Sequence, residues 1–311
     1  MERYKLVEIA RLYYEKRFTQ QQIADNLGLS RMAISRAINR CHLEGIVEIN
    51  INYEGSYKNL ENMIEEKFNL TKVVIVPHDN EKEIANKFLG EGILSVLQEK
   101  IKDNISIGVG WGSTLSSLCN CSDKINMKLD NSVFIPLLGG YGNTDYSIHA
   151  NNIASNIANL FKGKSSLLHA PAIVDNKDLK KDLISDKHIN NIFKKYEQLD
   201  IALIGIGCPS SKDATIFQSG YFNDQDIKEL NEANIQCDIV SCIYLDSQGK
   251  ERKLNLLERT IGICAESFKN IPLVIAASGG KNKLLSTKLA IKSGLIHILI
   301  TDENTASYLL R

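Results

Sequence analysis

From residue 71 onward the chain alternates short apolar runs with helical stretches, and this alternation limits the fold more than any other feature. The runs span 73–76, 105–109, 133–138, 201–206, 239–244, 273–277 and 296–300. Stretches with helical periodicity lie between most of them, at 84–101, 114–118, 148–161, 224–232 and 282–292. Short, nearly continuous apolar runs fit strands that are covered on both faces. Strands alternating with helices predict an α/β protein with a doubly wound, largely parallel, Rossmann-like sheet. Ligands in such sheets bind beyond the carboxyl ends of the strands, so the residues following each run are the ones to inspect.

Residues 19–49 carry a different signal. Thr19 is placed to cap a helix running through Gln22 and Ile23 to Leu27, Gly28 follows where a sharp turn needs positive φ, and Ser30 is placed to cap a second helix reaching Leu43. Two short helices joined by a glycine turn form a helix-turn-helix, whose second helix enters the DNA major groove. Ala24, Leu27, Leu29, Ile34, Ala37 and Ile38 are expected to hold the two helices together. That leaves Arg31, Met32, Ser35, Arg36, Asn39 and Arg40 on the outer face, where Arg and Asn read base edges and Ser or Arg anchors phosphate. The competing reading is an ordinary helical hairpin with a solvated basic face. An amphipathic helix over 2–17, with Leu6, Ile9, Ala10, Tyr13 and Tyr14 on one side, supplies the third helix. Alternation over 46–51 predicts a short wing strand, completing a winged helix-turn-helix. Glu54-Gly55-Ser56 marks a boundary, giving a DNA-binding domain at 1–54 and an effector and oligomerisation domain at 55–311. A helix over 57–68 follows, as a linker or a dimer contact.

Composition narrows the class. Hydrophobic residues make up 43% and charged residues 24% of 311 residues, as in ordinary globular proteins. No apolar run approaches the roughly 18 residues of a membrane helix, and the N-terminus lacks a signal-peptide pattern. The seven cysteines are odd in number and lie mostly in apolar segments, which predicts reduced residues in a cytoplasmic protein. Cys119 and Cys121 are the one close pair, without nearby His, so no metal site is expected. Residues 1–50 hold eight Lys/Arg against six Asp/Glu, and the remainder 29 against 31. So weakly basic a head binds duplex poorly alone, which points to self-association as a dimer or tetramer.

Three strand ends stand out. In 105–114 a strand runs into Gly108, Gly110 and Gly112, then into Ser113 and Thr114 at a helix start. Glycines let backbone approach a ligand, and the N–H and hydroxyl groups of Ser113 and Thr114 suit an anion. The segment is neither a dinucleotide fingerprint nor a Walker loop, and it reads as a phosphate cradle or a plain tight turn. Ser278-Gly279-Gly280-Lys281-Asn282-Lys283 is a second glycine turn, whose lysine pairs with phosphate or is solvated. Asp302 reads as a helix N-cap or a hydroxyl acceptor. The glycine-rich segments at 136–142 and 205–207 are weaker candidates. The six histidines show no metal spacing and no G-x-S-x-G elbow is present, so no catalytic residue and no cofactor is assigned.

Taken together, these segments resemble the SorC/DeoR-type sugar-binding transcriptional regulators over essentially the whole chain. The head resembles that family at Gln21-Gln22-Ile23-Ala24, at 29–36 and at Glu44-Gly45-Ile46-Val47. Further on, the similar segments are 108–114, Leu138-Gly139-Gly140, Ala170-Pro171-Ala172, Gly205-Ile206-Gly207, Ser219-Gly220-Tyr221-Phe222 and Arg259-Thr260-Ile261-Gly262. Gly279-Gly280 with Lys283, and 301–306, complete the set. The resemblance implies an effector domain related in fold to sugar-phosphate isomerases and deaminases but used for sensing. It implies a phosphorylated sugar or sugar alcohol as ligand, held by Gly110, Gly112, Ser113 and Thr114 with Lys283 nearby. Gly139 and Gly140 join that set, Asp238 would accept sugar hydroxyls, and double-stranded operator DNA is the implied partner. The chain departs from the family at Cys237, where the family has glycine, and Ser241 and Cys242 follow where the family tends to small residues. Two other functions compete with regulation: an isomerase- or deaminase-like enzyme with an appended DNA-binding head, and a scaffold whose sheet domain only oligomerises.

Overall fold

The computed structural model describes residues 1–49, 53, 55–140, 145–209 and 222–311, which divide into two compact units, Met1–Glu54 and Gly55–Arg311. The resemblance residues Ser219, Gly220 and Tyr221, residues 141 and 142 of the glycine-rich segment and the end of the expected wing strand lie outside the described residues.

In the first unit, α1 (Arg3–Ala10) continues as a π-helical turn, Arg11–Glu15, and is followed by α2 (Gln20–Leu27) and α3 (Arg31–Leu43). Thr19 and Gln22 close a capping box: the Gln22 N–H donates to Thr19 Oγ1 at 3.2 Å, and the Thr19 N–H to Gln22 Oε1 at 2.9 Å. Gly28 adopts φ 65, which lets the Leu29 N–H return to the Ala24 carbonyl at 3.0 Å. Ser30 Oγ accepts the Ala33 N–H at 3.2 Å and starts α3. Leu6, Ile9, Ile23, Ile34 and Cys41 are fully buried between the three helices, and each buried aliphatic side chain stabilises by roughly 1.5–3 kcal/mol. Leu29, expected in this core, is 38% exposed, because it occupies the turn itself. The expected wing also differs, since Ile46–Ile49 form no strand among the described residues. The N–H groups of Ile46 and Val47 both bond to the Cys41 carbonyl, at 2.8 and 3.1 Å, so they finish α3 instead of starting a ladder.

The second unit is built on parallel strands in the order β1-β10-β9-β5-β2-β3-β4. These are β1 (Lys72–Val76), β2 (Ser106–Val109), β3 (Val133–Pro136), β4 (Lys164–Ser165), β5 (Ile201–Gly207), β9 (Leu273–Ala277) and β10 (Ile298–Asp302). One face buries α5 (Lys82–Lys100) and helix Ala150–Leu160. The other buries α4 (Lys58–Phe68) and helices Lys187–Tyr196, Leu284–Lys292 and Glu303–Leu310. The sheet is therefore doubly wound.

The apolar run 239–244 is not one strand. It is divided between β6 (Ile235–Ile239) and β7 (Ile243–Asp246), an antiparallel hairpin extended by β8 (Glu251–Arg252). Val240 and Ser241 make its turn at φ 53 and 52, and the Cys242 N–H bonds back to the Ile239 carbonyl at 3.1 Å. A β-branched residue is rare in that conformation. Helix α4 is neither a free linker nor bare: Ile64 is fully buried, and Glu65 and Glu61 Oε1 accept the Val73 and Ile75 N–H groups of edge strand β1 at 2.8 and 3.0 Å. Those carboxylates satisfy donors that would otherwise invite another strand.

Candidate functional site

The chain leaves β2 toward β3 on one side and leaves β5 toward β9 on the other, while β2 and β5 are hydrogen-bonded neighbours. This reversal opens a crevice at their carboxyl ends. A cleft of about 550 Å³ occupies that place. It is lined by His78, Asp79 and Asn80 after β1, Lys82 and Asn86 in the first turns of α5, 111–114 after β2 and 205–208 at the end of β5. Asp238 and Val240 of the hairpin, 279–283 after β9, and Asp302 complete it.

Two glycine turns, after strands on either side of β5, line this space. Gly112 adopts φ 110 and its N–H is held by the Ile148 carbonyl at 3.0 Å. The N–H groups of Ser113 and Thr114 that follow have no backbone acceptor among the described residues. Gly280 adopts φ 94 and donates to Asp302 Oδ2, and the next two N–H groups, of Lys281 and Asn282, also have no backbone acceptor among the described residues. Asp302 further accepts the Thr305 N–H at 2.8 Å and the Thr305 hydroxyl at 3.1 Å, so its carboxylate is occupied by protein donors. His78 Nδ1 lies 3.9 Å from Asp302 Oδ1, buried and without a hydrogen-bond partner.

Charge is distributed unevenly. Asp238 lies against Gly207 and accepts the Ser241 N–H at 2.6 Å. Burial raises its carboxyl pKa to about 7, against the opposing pull of the Ser241 hydrogen bonds and the Lys283 charge. Burial also depresses Lys283; the Cys208 and Asp238 side chains oppose that shift and Lys82 adds to it. A cleft that combines unshared N–H groups, ammonium groups and a proton-holding carboxyl suits an anionic group joined to hydroxyls. Among the described residues no group of three His, Cys, Asp or Glu side chains is arranged to hold a metal ion.

On α3 of the head, Arg31, Met32, Arg36, Asn39 and Arg40 are exposed and Ser35 is half-buried. Arg40 is engaged by Glu44 through Nε at 3.0 Å and through Nη2. Arg31 and Arg36 have no ion-pair partner among the described residues, so their guanidinium forks are unoccupied.

Residues 53–311 match the family model described as "Putative sugar-binding domain", and residues 8–42 match the model for sigma-70 region 4. The chain is 30% identical over 310 residues to the sorbitol operon regulator of Klebsiella pneumoniae, covering 98% of this chain and 97% of that one. It is 28% identical over 309 residues to the deoxyribonucleoside regulator of Bacillus subtilis, covering 98% and 96%. The crystal structure of the full-length sorbitol operon regulator SorC from Klebsiella pneumoniae superposes with a TM-score of 0.79 at 28% identity, covering all of both chains. The chain belongs to the SorC/DeoR-type family of sugar-binding transcriptional regulators.

As a SorC-type regulator it joins a DNA-binding head to a sugar-binding domain, and it is a sugar-responsive transcriptional regulator. Among the described residues no helix is long and apolar enough to cross a membrane. Of the residues expected at the SorC-type effector site, Gly112, Ser113, Thr114, Asp238, Lys283 and Asp302 line one cleft. Gly110, Gly139 and Gly140 do not. Gly110 is buried, and its N–H ties the end of β2 to the Leu203 carbonyl of β5 at 2.9 Å. Gly139 and Gly140 follow β3, one strand farther from the reversal. Their N–H groups bond to the Ile261 and Ala170 carbonyls, and a side chain at 139 would come within 2.5 Å of the Pro171 carbonyl oxygen. Glycine at 139 thus serves close backbone packing, whereas a Cβ at 140 would meet only His149 Nδ1, at 3.9 Å. Sequence reasoning missed His78, Asp79, Asn80, Lys82, Asn86 and Cys208, and it included Trp111 and Lys281 only as members of the two glycine segments. Inspecting the end of β1 as closely as the other strand ends finds the first three.

Proposed function

We propose that the cleft at the β2–β5 reversal is the effector site and that the effector is a phosphorylated sugar or sugar alcohol. Its occupancy changes how α3 of an assembled dimer or tetramer engages a partly palindromic operator in the cytoplasm. The observation that carries this reading is the pairing of two glycine turns in one cleft, with unshared N–H groups at Ser113, Thr114, Lys281 and Asn282 beside Lys283. The phosphate is held there, and the hydroxyls reach Asp238. Asp302 acts through Gly280, whose N–H it holds. Residues 1–54 read DNA and 55–311 sense and assemble.

Asp238 keeps its proton to near neutrality, a property shared with catalytic acids. In this reading it is a sensing group, and incubation of the protein with sugar phosphates yields no product. Release of an isomerised or deaminated product supports the enzyme instead.

The deciding experiment is a thermal-shift screen of phosphorylated sugars against their unphosphorylated parents. A ligand present at a hundredfold excess over its Kd stabilises by about 2.7 kcal/mol. Phosphorylated members are expected to raise Tm and to change operator affinity, and Thr114→Ala with Lys283→Ala is expected to abolish both effects while operator affinity without ligand persists. Equal shifts with unphosphorylated sugars, or a normal response from the double variant, overturn the phosphate assignment.

A further inference from the structure

The antiparallel ladder between β5 and β6 sets Ile206 opposite Ile239 and Gly207 opposite Asp238. The ladder ends at that pair; Cys208 directly follows Gly207 outside the strand and Cys237 directly precedes Asp238 in β6, so continuing the register by one residue places Cys208 opposite Cys237. Directly opposed residues of an antiparallel pair have Cα atoms about 4.5 or about 5.5 Å apart, according to the hydrogen-bonding class of the pair. Both separations fall within the roughly 4.4–6.8 Å that a disulfide spans, and opposed side chains leave the same face of the sheet. The two sulfurs also interact electrostatically. Burial chiefly, then Asp238 and then Cys208, hold the Cys237 thiol well above its ordinary range.

The two residues differ in access in the way an oxidation requires. Cys208 is half-buried, lines the cleft and lies within electrostatic reach of the Lys283 ammonium. Cys237 is fully buried. Neither cysteine is in a disulfide.

We propose that Cys208 and Cys237 form a redox-modification site in the wall of the cleft, where a hydroperoxide converts the dithiol into a cross-strand disulfide. The Cys208 sulfur attacks the terminal peroxide oxygen and the O–O bond breaks. The departing oxygen takes the thiol proton and leaves as water, or as an alcohol from an organic hydroperoxide. Cys208 is left as a sulfenic acid. The Cys237 sulfur then attacks the Cys208 sulfur, the S–S bond forms, the S–O bond breaks, and hydroxide leaves with the Cys237 proton as water. Two thiols are oxidised and one peroxide is reduced.

The test treats the full-length protein, first reduced and desalted, with hydrogen peroxide, then alkylates it under denaturing conditions. Tryptic peptides are mapped without reduction. The expected product joins the peptide 196–212 to the peptide 229–250, with fragmentation placing the bond at Cys237 and not at Cys242, which shares that peptide. Dithiothreitol reverses it. Cys237→Ala is expected to abolish the cross-link and leave Cys208 as a sulfenic acid trapped by dimedone. Cys208→Ala is expected to leave Cys237 fully alkylatable. The proposal is overturned if wild-type protein yields singly oxidised Cys208 with alkylated Cys237, if neither thiol reacts, or if Cys208 links to another cysteine.

Discussion

Asp238 is a carboxyl group that the fold holds far from its ordinary state. Its pKa near 7 means that the folded protein binds a proton which the unfolded chain, with an aspartate near 3.9, has already released. Between about pH 4 and about pH 7 the folded state therefore holds more protons, and stability falls as pH rises. The difference corresponds to at most about 4 kcal/mol, fully lost above the folded pKa. Asparagine keeps an oxygen for the Ser241 N–H and carries no charge. Asp238→Asn is accordingly expected to match wild type in urea denaturation at about pH 5 more nearly than at about pH 8, where it is the more stable. An equal difference at both pH values removes buried ionisation as the cause. The role proposed for it was legible only through the family resemblance. Its titration was not, because burial against Gly207 depends on a hairpin that the sequence hid.

Among elements, α3 was the most legible, because every signal for it is local. The Thr19 and Ser30 caps and the Gly28 turn depend on neighbours within four residues, and each appears where those residues place it. The parallel strands were legible for another reason: burial on both faces leaves apolar runs that need no partner to be recognised. The β6–β7 hairpin was illegible because Val240 and Ser241 occupy positions where Asn or Gly would have announced the turn. Strands β4 and β8 each have two residues and carry no periodicity. Arg36 belongs to this scale, since its value depends on how α3 presents it. Exposed and without an ion-pair partner among the described residues, it is suited to a bidentate contact with guanine. Arg36→Ala is expected to weaken operator binding by about 1–3 kcal/mol while sparing affinity for random duplex. Fluorescence anisotropy on both DNAs measures the two affinities, and equal losses assign Arg36 to phosphate.

For the whole molecule, the consequential feature is that residues of the cleft are covalently adjacent to residues that anchor α4. Asp302 holds the Gly280 turn inside the cleft. The next residue, Glu303, accepts the Tyr57 hydroxyl at 2.9 Å through Oε2, at the start of α4. Lys67 at the other end of α4 donates to the Leu309 and Leu310 carbonyls, both at 3.0 Å, so helix Glu303–Leu310 grips α4 at two points. A ligand that pulls on Gly280 thus acts on the N-cap of the helix to which α4 is fastened, and α4 follows the head in the chain. Coupling between two sites is a free energy, typically about 1–3 kcal/mol, and it needs an element that both sites bias. Tyr57→Phe deletes the hydroxyl donated to Glu303 and leaves every lining residue of the cleft in place. The variant is expected to show an unchanged ligand-induced rise in Tm and unchanged operator affinity without ligand. The factor by which ligand alters operator affinity is expected to shrink toward one. Thermal shift and anisotropy on the same preparation separate these quantities. A normal ligand effect on operator binding in Tyr57→Phe shows that the signal leaves the cleft by another route, through β5 or the β6–β7 hairpin.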